Sequence, residues 1–147
     1  MTRYILDTNL YIAAIRNREK AAELAEFSAA FIPFLHLSAI VVQEVLAGAT
    51  DEAKRRDLER HLFHPFIRVG RLITPSFNAW REAGRVLGDL RARGFRADQA
   101  RASFTNDVLL ATSCREHGYT LITENRTDFD LIATVLDIQH LPPWPTR

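Results

Sequence analysis

Four acidic residues, Asp7, Glu44, Asp107 and Asp128, are spaced along the chain so that they could build one reactive site. Asp7 directly follows a short apolar run that predicts the first strand, and Asp128 lies just beyond another β-type run. Asp107 falls in the first turn of a predicted helix. In open parallel sheets, ligands bind outside the carboxyl ends of the strands. We therefore expect Asp7 and Asp128 to reach the same crevice.

Glu44 differs from the other acids because it lies inside an apolar helical segment, Ala39 to Ala47. On such a helix, a glutamate either occupies the one solvated face or is half-buried against another element. Half-burial of an unpaired carboxylate costs free energy, so that arrangement would require a cation or a metal ion.

Each acid, taken alone, also has an ordinary structural explanation. Asp7 could start a turn, Asp107 could interact with a helix dipole, Asp128 could cap a short helix, and Glu44 could face solvent. Structural acids outnumber functional ones, so no single residue indicates a site. The placement of all four together favours a common site.

Carboxylates that converge in this way are typical of a magnesium or manganese site, because Mg²⁺ and Mn²⁺ prefer carboxylate and water oxygens. Such an ion can activate water for in-line attack on a phosphodiester and stabilise the leaving oxygen. Neutral side chains beside the acids could orient them or the metal-bound waters. These supporting candidates are Thr8, Asn9, Thr123 and Asn125.

Short apolar runs alternate with longer helical segments, which predicts an α/β fold around a mainly parallel sheet. The predicted strands are 3–6, 34–37, 67–73, 120–123 and 138–141. The predicted helices are 10–15, 18–30, 39–47, 51–62, a long helix from Pro75 that Gly94 ends, and 106–117. Ser38 and Gly48 are the expected caps of the helix that carries Glu44.

Composition sets the broad class of the protein. The chain has 147 residues, is 47% hydrophobic and carries 19 basic and 18 acidic residues, for a net charge of +1. These values predict one domain over 1–147 and exclude a strongly basic nucleic-acid-binding arm. One cysteine excludes an intrachain disulfide. Neither a signal peptide nor an apolar run of roughly 20 residues is visible, so we expect a soluble cytoplasmic protein with no membrane contact.

Four segments of the chain, in order, resemble a PIN domain, and most closely the VapC-type toxins of bacterial toxin–antitoxin pairs. They are Tyr4-Ile5-Leu6-Asp7-Thr8-Asn9, Ser38 to Gly48 with Glu44, Thr105-Asn106-Asp107-Val108-Leu109-Leu110-Ala111, and Leu121-Ile122-Thr123-Glu124-Asn125-Arg126-Thr127-Asp128-Phe129. No single segment is specific, but the ordered set is. The resemblance spans residues 3 to 129.

The resemblance implies a three-layer α/β/α fold and a Mg²⁺- or Mn²⁺-dependent endoribonuclease. It implies RNA as substrate, inhibition by a small VapB-like antitoxin, and a homodimer. Asp7, Glu44 and Asp107 match the acidic metal-binding core, and Asp128 is the fourth catalytic candidate. The family often has an acid or asparagine at the position of Asn125. Whether Asn125, Glu124 or Asp128 fills the fourth place, and whether one or two metals bind, stays open.

Three other functions share part of this residue pattern. A phosphatase of the haloacid dehalogenase type needs a second aspartate where this chain has Asn9, and a receiver domain needs a lysine late in the sheet, whereas no lysine follows Lys54. Both fit poorly. A PIN-like scaffold that binds RNA or protein without cutting stays possible, because Asn125 is neutral.

Arginines cluster shortly before Asp107, at positions 91, 93, 96 and 101. They could form a solvated helix end or a rim that steers phosphates towards the acids. The RNA-contact candidates are Arg96, Arg101 and Arg126.

Overall fold

The computed structural model describes residues 1–96 and 103–146. Within these residues five strands form one parallel sheet in the order β3-β2-β1-β4-β5. The strands are β1 (Arg3–Leu6), β2 (Leu35–Ser38), β3 (Leu72–Ile73), β4 (Tyr119–Ile122) and β5 (His140–Leu141). Because all five strands run in the same direction, their carboxyl ends meet at one edge of the sheet.

Helices fill the connections between the strands. They are α1 (Thr8–Arg16), α2 (Arg18–Phe31), α3 (Ala39–Ala47), α4 (Glu52–Leu58), α5 (His64–Arg68), α6 (Phe77–Ala92), α7 (Phe104–His117) and α8 (Arg126–Ile132). A short 3₁₀ turn (Ile32–Phe34) precedes β2, and a π-helical segment (Glu59–Phe63) joins α4 to α5.

Alternating side chains of the central strand enter two separate cores. Tyr4 and Leu6 belong to a cluster that includes residues of α1, α2 and α3. Ile5 points to the other face, where its cluster includes residues of α6, α7 and α8. Successive residues of a strand face opposite sides of a sheet, so apolar residues at all three positions require cover on both faces. The predicted three-layer α/β/α fold is confirmed.

The segment that carries Glu44 folds with the predicted boundaries. Helix α3 spans Ala39–Ala47, the Ser38 hydroxyl accepts a hydrogen bond from the Ile40 backbone nitrogen (3.2 Å), and Gly48 is the C-cap. The Ser38 side chain satisfies one of the backbone N–H groups that have no partner inside a helix. The strand prediction for β1, residues 3–6, is also exact.

The predicted strand over 67–73 is wrong in its first part. Ile67 and Arg68 end α5, and Gly70, with a φ of 71°, turns the chain before the two-residue β3. Short apolar runs fit a helix end as well as a strand, so periodicity cannot separate the two. The predicted helix over 51–62 likewise continues further, through the π-helical segment into α5.

The predicted start of the longest helix at Pro75 is too early. Helix α6 begins at Phe77, and the Ser76 hydroxyl caps it by accepting a hydrogen bond from the Ala79 backbone nitrogen (3.1 Å). Proline is favoured at the first position of a helix, which is why Pro75 predicts the helix start. Here the Ser76 hydroxyl satisfies a helix N–H group instead, and the helix begins after it.

Helix α7 brings Asp107 into its first turn and ends at Gly118, whose φ is 72°. A left-handed residue after a helix is the usual position for glycine. It allows the chain to turn directly into β4. None of the helices in 1–96 and 103–146 is both long enough and apolar enough to cross a membrane.

Candidate active site

Asp7 connects the first strand to the first helix. Its backbone nitrogen donates to the Ile122 carbonyl of β4 (2.9 Å), and its side chain is the N-cap of α1, where Oδ1 accepts from the Thr8 backbone nitrogen (2.8 Å). The residue is 3% exposed. The strand ladder and the cap together fix the carboxylate at the carboxyl edge of the sheet.

The second carboxylate oxygen of Asp7 accepts from two neutral side chains. Thr123 Oγ1 donates to Asp7 Oδ2 at 2.7 Å, and Asn9 Nδ2 donates to the same oxygen at 3.1 Å. Thr123 is fully buried directly after β4. These bonds orient the carboxylate.

Glu44 is half-buried on α3 and faces the first turn of α1. Thr8 Oγ1 donates to Glu44 Oε1 at 2.8 Å. Because Thr8 also contacts Asp7 through its backbone nitrogen, one residue joins the two acids. Of the two environments considered for Glu44, the structure shows the half-buried one.

Asp107 and Asp128 lie on two different helices and share one partner. Asn125 Nδ2 lies 3.3 Å from Asp107 Oδ2 and 3.1 Å from Asp128 Oδ2, so the amide links the two acids. Asp107 is 4% exposed and Asp128 is half-buried. The structure therefore places Asp128 next to Asp107.

Asn125 also replaces Asp128 as the helix cap. Its Oδ1 accepts from the Asp128 backbone nitrogen (3.3 Å), which makes Asn125 the N-cap of α8. Its own backbone nitrogen donates to Thr123 Oγ1 at 2.9 Å. The alternative that Asp128 caps this helix is therefore wrong, and the Asp128 side chain lies beside Asp107.

One hydrogen-bond network thus includes every catalytic and supporting candidate of the sequence analysis. The members are Asp7, Thr8, Asn9, Glu44, Asp107, Thr123, Asn125 and Asp128. The network runs from α3 through α1 and the end of β4 to α7 and α8.

The structure describes two of the three RNA-contact candidates. Arg126 is the exposed first residue of α8, beside Asn125, and Arg96 is exposed beyond the end of α6. Arg101 lies outside the described residues.

The donor atoms of the network are suited to a hard cation. Its charged members are all carboxylates, and such oxygens are the ligands that Mg²⁺ and Mn²⁺ prefer. In the described parts of the chain, however, no three acidic, histidine or cysteine side chains are arranged to hold a metal. The amide of Asn125 already holds Asp107 and Asp128. The chemistry of the residues fits such an ion, and binding would require their side chains to rearrange.

Cys114, on the same helix as Asp107, is not a nucleophile in this site. The thiol is buried, and burial raises its pKa, with a smaller contribution in the same direction from the negative charge of Asp7. A thiol in such surroundings stays protonated, whereas nucleophilic and metal-binding cysteines are thiolates. Its contacts are with the apolar core.

A groove that the sequence analysis did not predict lies beside the second turn of α1. It has a volume of about 690 Å³, and its apolar lining includes Tyr11, Ile15, Leu24, Leu58 and Leu62. The charged residues of the lining are Arg16, Lys54 and Asp57. No signal in the sequence marks this groove. In the structure it is marked by Ile15, which is 62% accessible on a helix whose other apolar residues are more buried.

Comparison with solved structures shows the same fold in several toxin–antitoxin complexes. DNA-bound VapBC from Salmonella typhimurium matches with a TM-score of 0.73 and 22% identity, covering 97% of this chain and 98% of that one. VapBC-1 from nontypeable Haemophilus influenzae has a TM-score of 0.72 and 24% identity, with coverage of 96% and 98%. A toxin–antitoxin complex from Klebsiella pneumoniae has a TM-score of 0.64 and 18% identity, with coverage of 97% and 99%.

No curated protein matches the sequence. The family model of the PIN domain matches residues 4–134, a span that includes every residue of the hydrogen-bond network. The chain therefore belongs to the PIN domain family.

Proposed function

We propose that this chain is a Mg²⁺- or Mn²⁺-dependent endoribonuclease that hydrolyses RNA phosphodiester bonds, and that it acts as the VapC-like toxin of a toxin–antitoxin pair. The observation that carries the proposal is the single network that joins four carboxylates at the carboxyl ends of the strands. PIN domains are generally nucleases. Residues 1–147 would act as one domain, in the cytoplasm.

Asp7, Glu44 and Asp107 would hold the metal, with Asp128 as the fourth acid. When bound, the ion would lower the pKa of a coordinated water and stabilise the leaving oxygen of the phosphodiester. Asp7 and Asp107 are the most buried of the four acids, so their carboxylates would define the position of the ion.

The neutral members of the network would act as positioning residues. Thr123 and Asn9 hold one oxygen of Asp7, and Thr8 holds Glu44. Groups that hydrogen-bond to metal ligands fix the orientation of those ligands, and their loss typically lowers metal affinity or activity by about 10–100-fold.

The proposal is tested by incubating the purified chain with single-stranded and structured RNA in Mg²⁺ or Mn²⁺. We expect cleavage that EDTA abolishes and that Asp107→Asn lowers by at least about 100-fold, because that change removes a metal-binding charge. The matched control is Asp130→Asn, which alters an exposed acid of α8 paired with His140 (2.7 Å). It should cut RNA at the wild-type rate.

Two outcomes would contradict the proposal. Cleavage that persists in both EDTA and Asp107→Asn would place the reaction elsewhere or reveal a contaminating nuclease. RNA that stays full length in every condition would favour the PIN-like scaffold that binds RNA or protein without cutting. The amide of Asn125 between Asp107 and Asp128 is the observation that favours this second candidate.

We further propose that the groove beside α1 receives an apolar segment of a small VapB-like antitoxin. The matched Klebsiella pneumoniae structure is a toxin–antitoxin complex. Helix α1 carries the Asp7 cap at one end and Ile15 of the groove at the other, so a segment that leaves the groove along α1 towards its N-terminus would reach the acids.

This partnership is tested by co-expressing the chain with the product of a neighbouring gene and measuring both complex formation and RNA cleavage. We expect a complex in which cleavage is suppressed. Ile15→Glu should weaken the complex, because it places a charge against the apolar lining, and should leave cleavage by the free chain unchanged. Arg68→Glu, which alters an exposed residue of α5 outside the groove lining, is the control. Equal effects of the two variants would contradict the assignment of the groove.

The exposed Arg96 and Arg126 would contact RNA phosphates around the acids. Arginine suits this role because its guanidinium binds phosphate oxygens in a bidentate manner.

A further inference from the structure

Three basic side chains lie at the amino ends of neighbouring strands, at the edge of the sheet opposite the carboxylate network. Arg3 begins β1, His36 is the second residue of β2, and Arg71 directly precedes β3. Strand β1 pairs with β2, and the Leu37 backbone nitrogen donates to the Arg71 carbonyl (2.9 Å). The three residues therefore form one group, which we call the amino-end cluster.

The ring of Tyr119, on β4, contacts two members of this cluster. The guanidinium carbon of Arg3 lies 4.5 Å from the centre of the ring, and the centre of the His36 ring lies 4.9 Å from it. A guanidinium over an aromatic face is a favourable contact. Contact with one ring keeps Arg3 and His36 close together.

Backbone carbonyls orient the other two members. Arg71 Nη1 donates to the Ile32 carbonyl (2.7 Å), and His36 Nδ1 lies 3.3 Å from the Phe34 carbonyl. A carbonyl only accepts, so we assign the hydrogen of the neutral imidazole to Nδ1. His36 Nε2 has no hydrogen-bond partner among residues 1–96 and 103–146. It becomes a further donor when the imidazole is protonated.

The two arginines of the amino-end cluster have no acidic partner in the described part of the chain. Neither Arg3 nor Arg71 forms a salt bridge there, whereas Arg55 and Arg85 do. Burial lowers the pKa of His36, and the charges of Arg3 and Arg71 lower it further. The cluster therefore carries positive charge that these side chains do not compensate.

The remaining titratable groups beside the cluster are engaged with other partners. Arg3 donates to the Tyr119 hydroxyl (3.5 Å) and to the His117 carbonyl. Glu116 of α7 contacts His117 Nε2 at 3.4 Å and accepts from the Ser76 hydroxyl. Glu116 is thus paired with groups outside the cluster.

A bound anion would compensate the charge of the cluster. Guanidinium groups bind both carboxylates and phosphates. A carboxylate has two oxygens and one negative charge, which a single arginine satisfies. A phosphate monoester has three terminal oxygens and a charge of about −1.5 to −2 near pH 7. Its charge matches two arginines and a histidine better than the single charge of an RNA phosphodiester does.

We propose that Arg3, His36 and Arg71 bind the phosphate group of a phosphate monoester at the amino ends of the strands. The monoester is either a free phosphorylated compound or the 5′-phosphate end of an RNA, since both present the same group. The site is separate from the four acids and does not depend on the proposed metal-dependent cleavage.

NMR spectra of the His36 ring in the purified full chain test this site. Inorganic phosphate is titrated at constant ionic strength in EDTA, which prevents phosphate from binding through a metal ion at the four acids. We expect saturable shifts of the His36 ring resonances and a higher pKa of His36 with phosphate bound, because an anion favours the imidazolium.

Arg3→Gln and Arg71→Gln should each raise the phosphate dissociation constant by about tenfold or more, since each removes a charged contact. Glutamine keeps an N–H donor, and amide spectra of both variants should show that they stay folded. The matched control is Arg68→Gln, which removes an exposed arginine at the end of α5. It should bind phosphate like the wild type.

Competition with inorganic phosphate separates the two sources of the monoester. Competition by AMP alone would assign the site to free compounds, and competition by both AMP and a 5′-phosphorylated RNA would include RNA ends. The same RNA with a 5′-hydroxyl should not compete. Three results would overturn the proposal: no saturable shift at His36, wild-type phosphate affinity in both Arg3→Gln and Arg71→Gln, or equal competition by the 5′-hydroxyl and 5′-phosphorylated RNAs.

Discussion

Thr123 connects the two halves of the hydrogen-bond network. Its hydroxyl donates to Asp7 and accepts from the Asn125 backbone nitrogen, so it connects the acid of β1 to the amide that holds Asp107 and Asp128. A hydroxyl is suited to this position because it can donate and accept at once.

We expect Thr123→Val to lower RNA cleavage by about 10–100-fold, because Asp7 loses a bond that orients it. The same change leaves the half-buried Asn125 N–H without its Thr123 partner, which should cost about 0.5–1.5 kcal/mol of unfolding free energy. Cleavage assays and urea unfolding measure the two effects. Thr120→Val is the control, since Thr120 is also buried, on β4, and within 1–96 and 103–146 its side chain makes one long hydrogen bond (3.4 Å), to Gln139. Equal losses in both variants would show that Thr123 acts through general packing alone.

Asp128 provides the second prediction at this scale, because its role as the fourth acid rests on its contact with Asn125. We expect Asp128→Asn to lower cleavage and to raise the Mn²⁺ concentration needed for half-maximal rate, since one negative ligand is lost. The neighbouring Asp130→Asn should change neither quantity. A lower maximal rate with no change in the metal requirement would instead assign Asp128 to substrate positioning.

The positions of these acids could be predicted from the sequence, whereas their partners could not. Each of Asp7, Asp107 and Asp128 lies at the end of an element, and parallel strands bring such ends to one edge. The links depend on side-chain directions that spacing does not reveal. Asn125 illustrates this, because its amide contacts acids 18 and 3 residues away and also caps α8.

At the scale of elements, local capping chemistry decided which boundaries could be predicted. Helix α3 was predicted exactly because Ser38 and Gly48 mark its ends. The start of α6 and the strand over 67–73 were wrong because a proline and an apolar run each fit two structures. In the folded chain, the Ser76 cap and the turn at Gly70 separate these possibilities.

His36, on strand β2, makes the free energy of unfolding depend on pH, and this effect is separate from that of the four acids. His36 contacts the ring of Tyr119 at 4.9 Å, and burial lowers its pKa, with further lowering from the charges of Arg3 and Arg71 and an opposing effect of its bond to the Phe34 carbonyl. The unfolded chain therefore binds a proton at His36 more readily than the folded chain. Above the unfolded pKa, near 6.5, His36 is neutral in both states and does not lower the free energy of unfolding. As the pH falls from there towards the folded pKa, the unfolded chain binds the proton first, and the free energy of unfolding decreases.

We expect His36→Gln to reduce the loss of unfolding free energy between pH 7.5 and pH 5.5, because the side chain no longer titrates. Urea unfolding at both pH values measures this difference. His64→Gln, at an exposed position of α5, should keep the wild-type difference. If His36→Gln shows the same loss as the wild type, acid sensitivity arises from other groups.

At the scale of the molecule, the net charge of +1 is the sum of charges that are unevenly distributed. Without the four acids of the network, the remaining chain carries +5, mostly on arginine. A substrate phosphate would therefore meet a basic exterior around a negative centre, and the metal would be needed to bring the phosphate close to the acids. This distribution predicts that RNA affinity falls as salt increases, because bound phosphates release their counterions.

Arg126 can be used to test whether basic residues around the acids contact RNA phosphates, since it is exposed and next to the network. We expect Arg126→Ala to weaken RNA binding by a similar factor for all sequences and to reduce the salt slope by about one phosphate contact. Fluorescence anisotropy with the cleavage-deficient Asp107→Asn background measures affinity without hydrolysis. Arg68→Ala is the control, because Arg68 precedes β3 and so lies towards the opposite edge of the sheet. A salt slope that both variants reduce equally would mean that RNA binds the basic exterior as a whole, so that the acids alone select the phosphate that is cut.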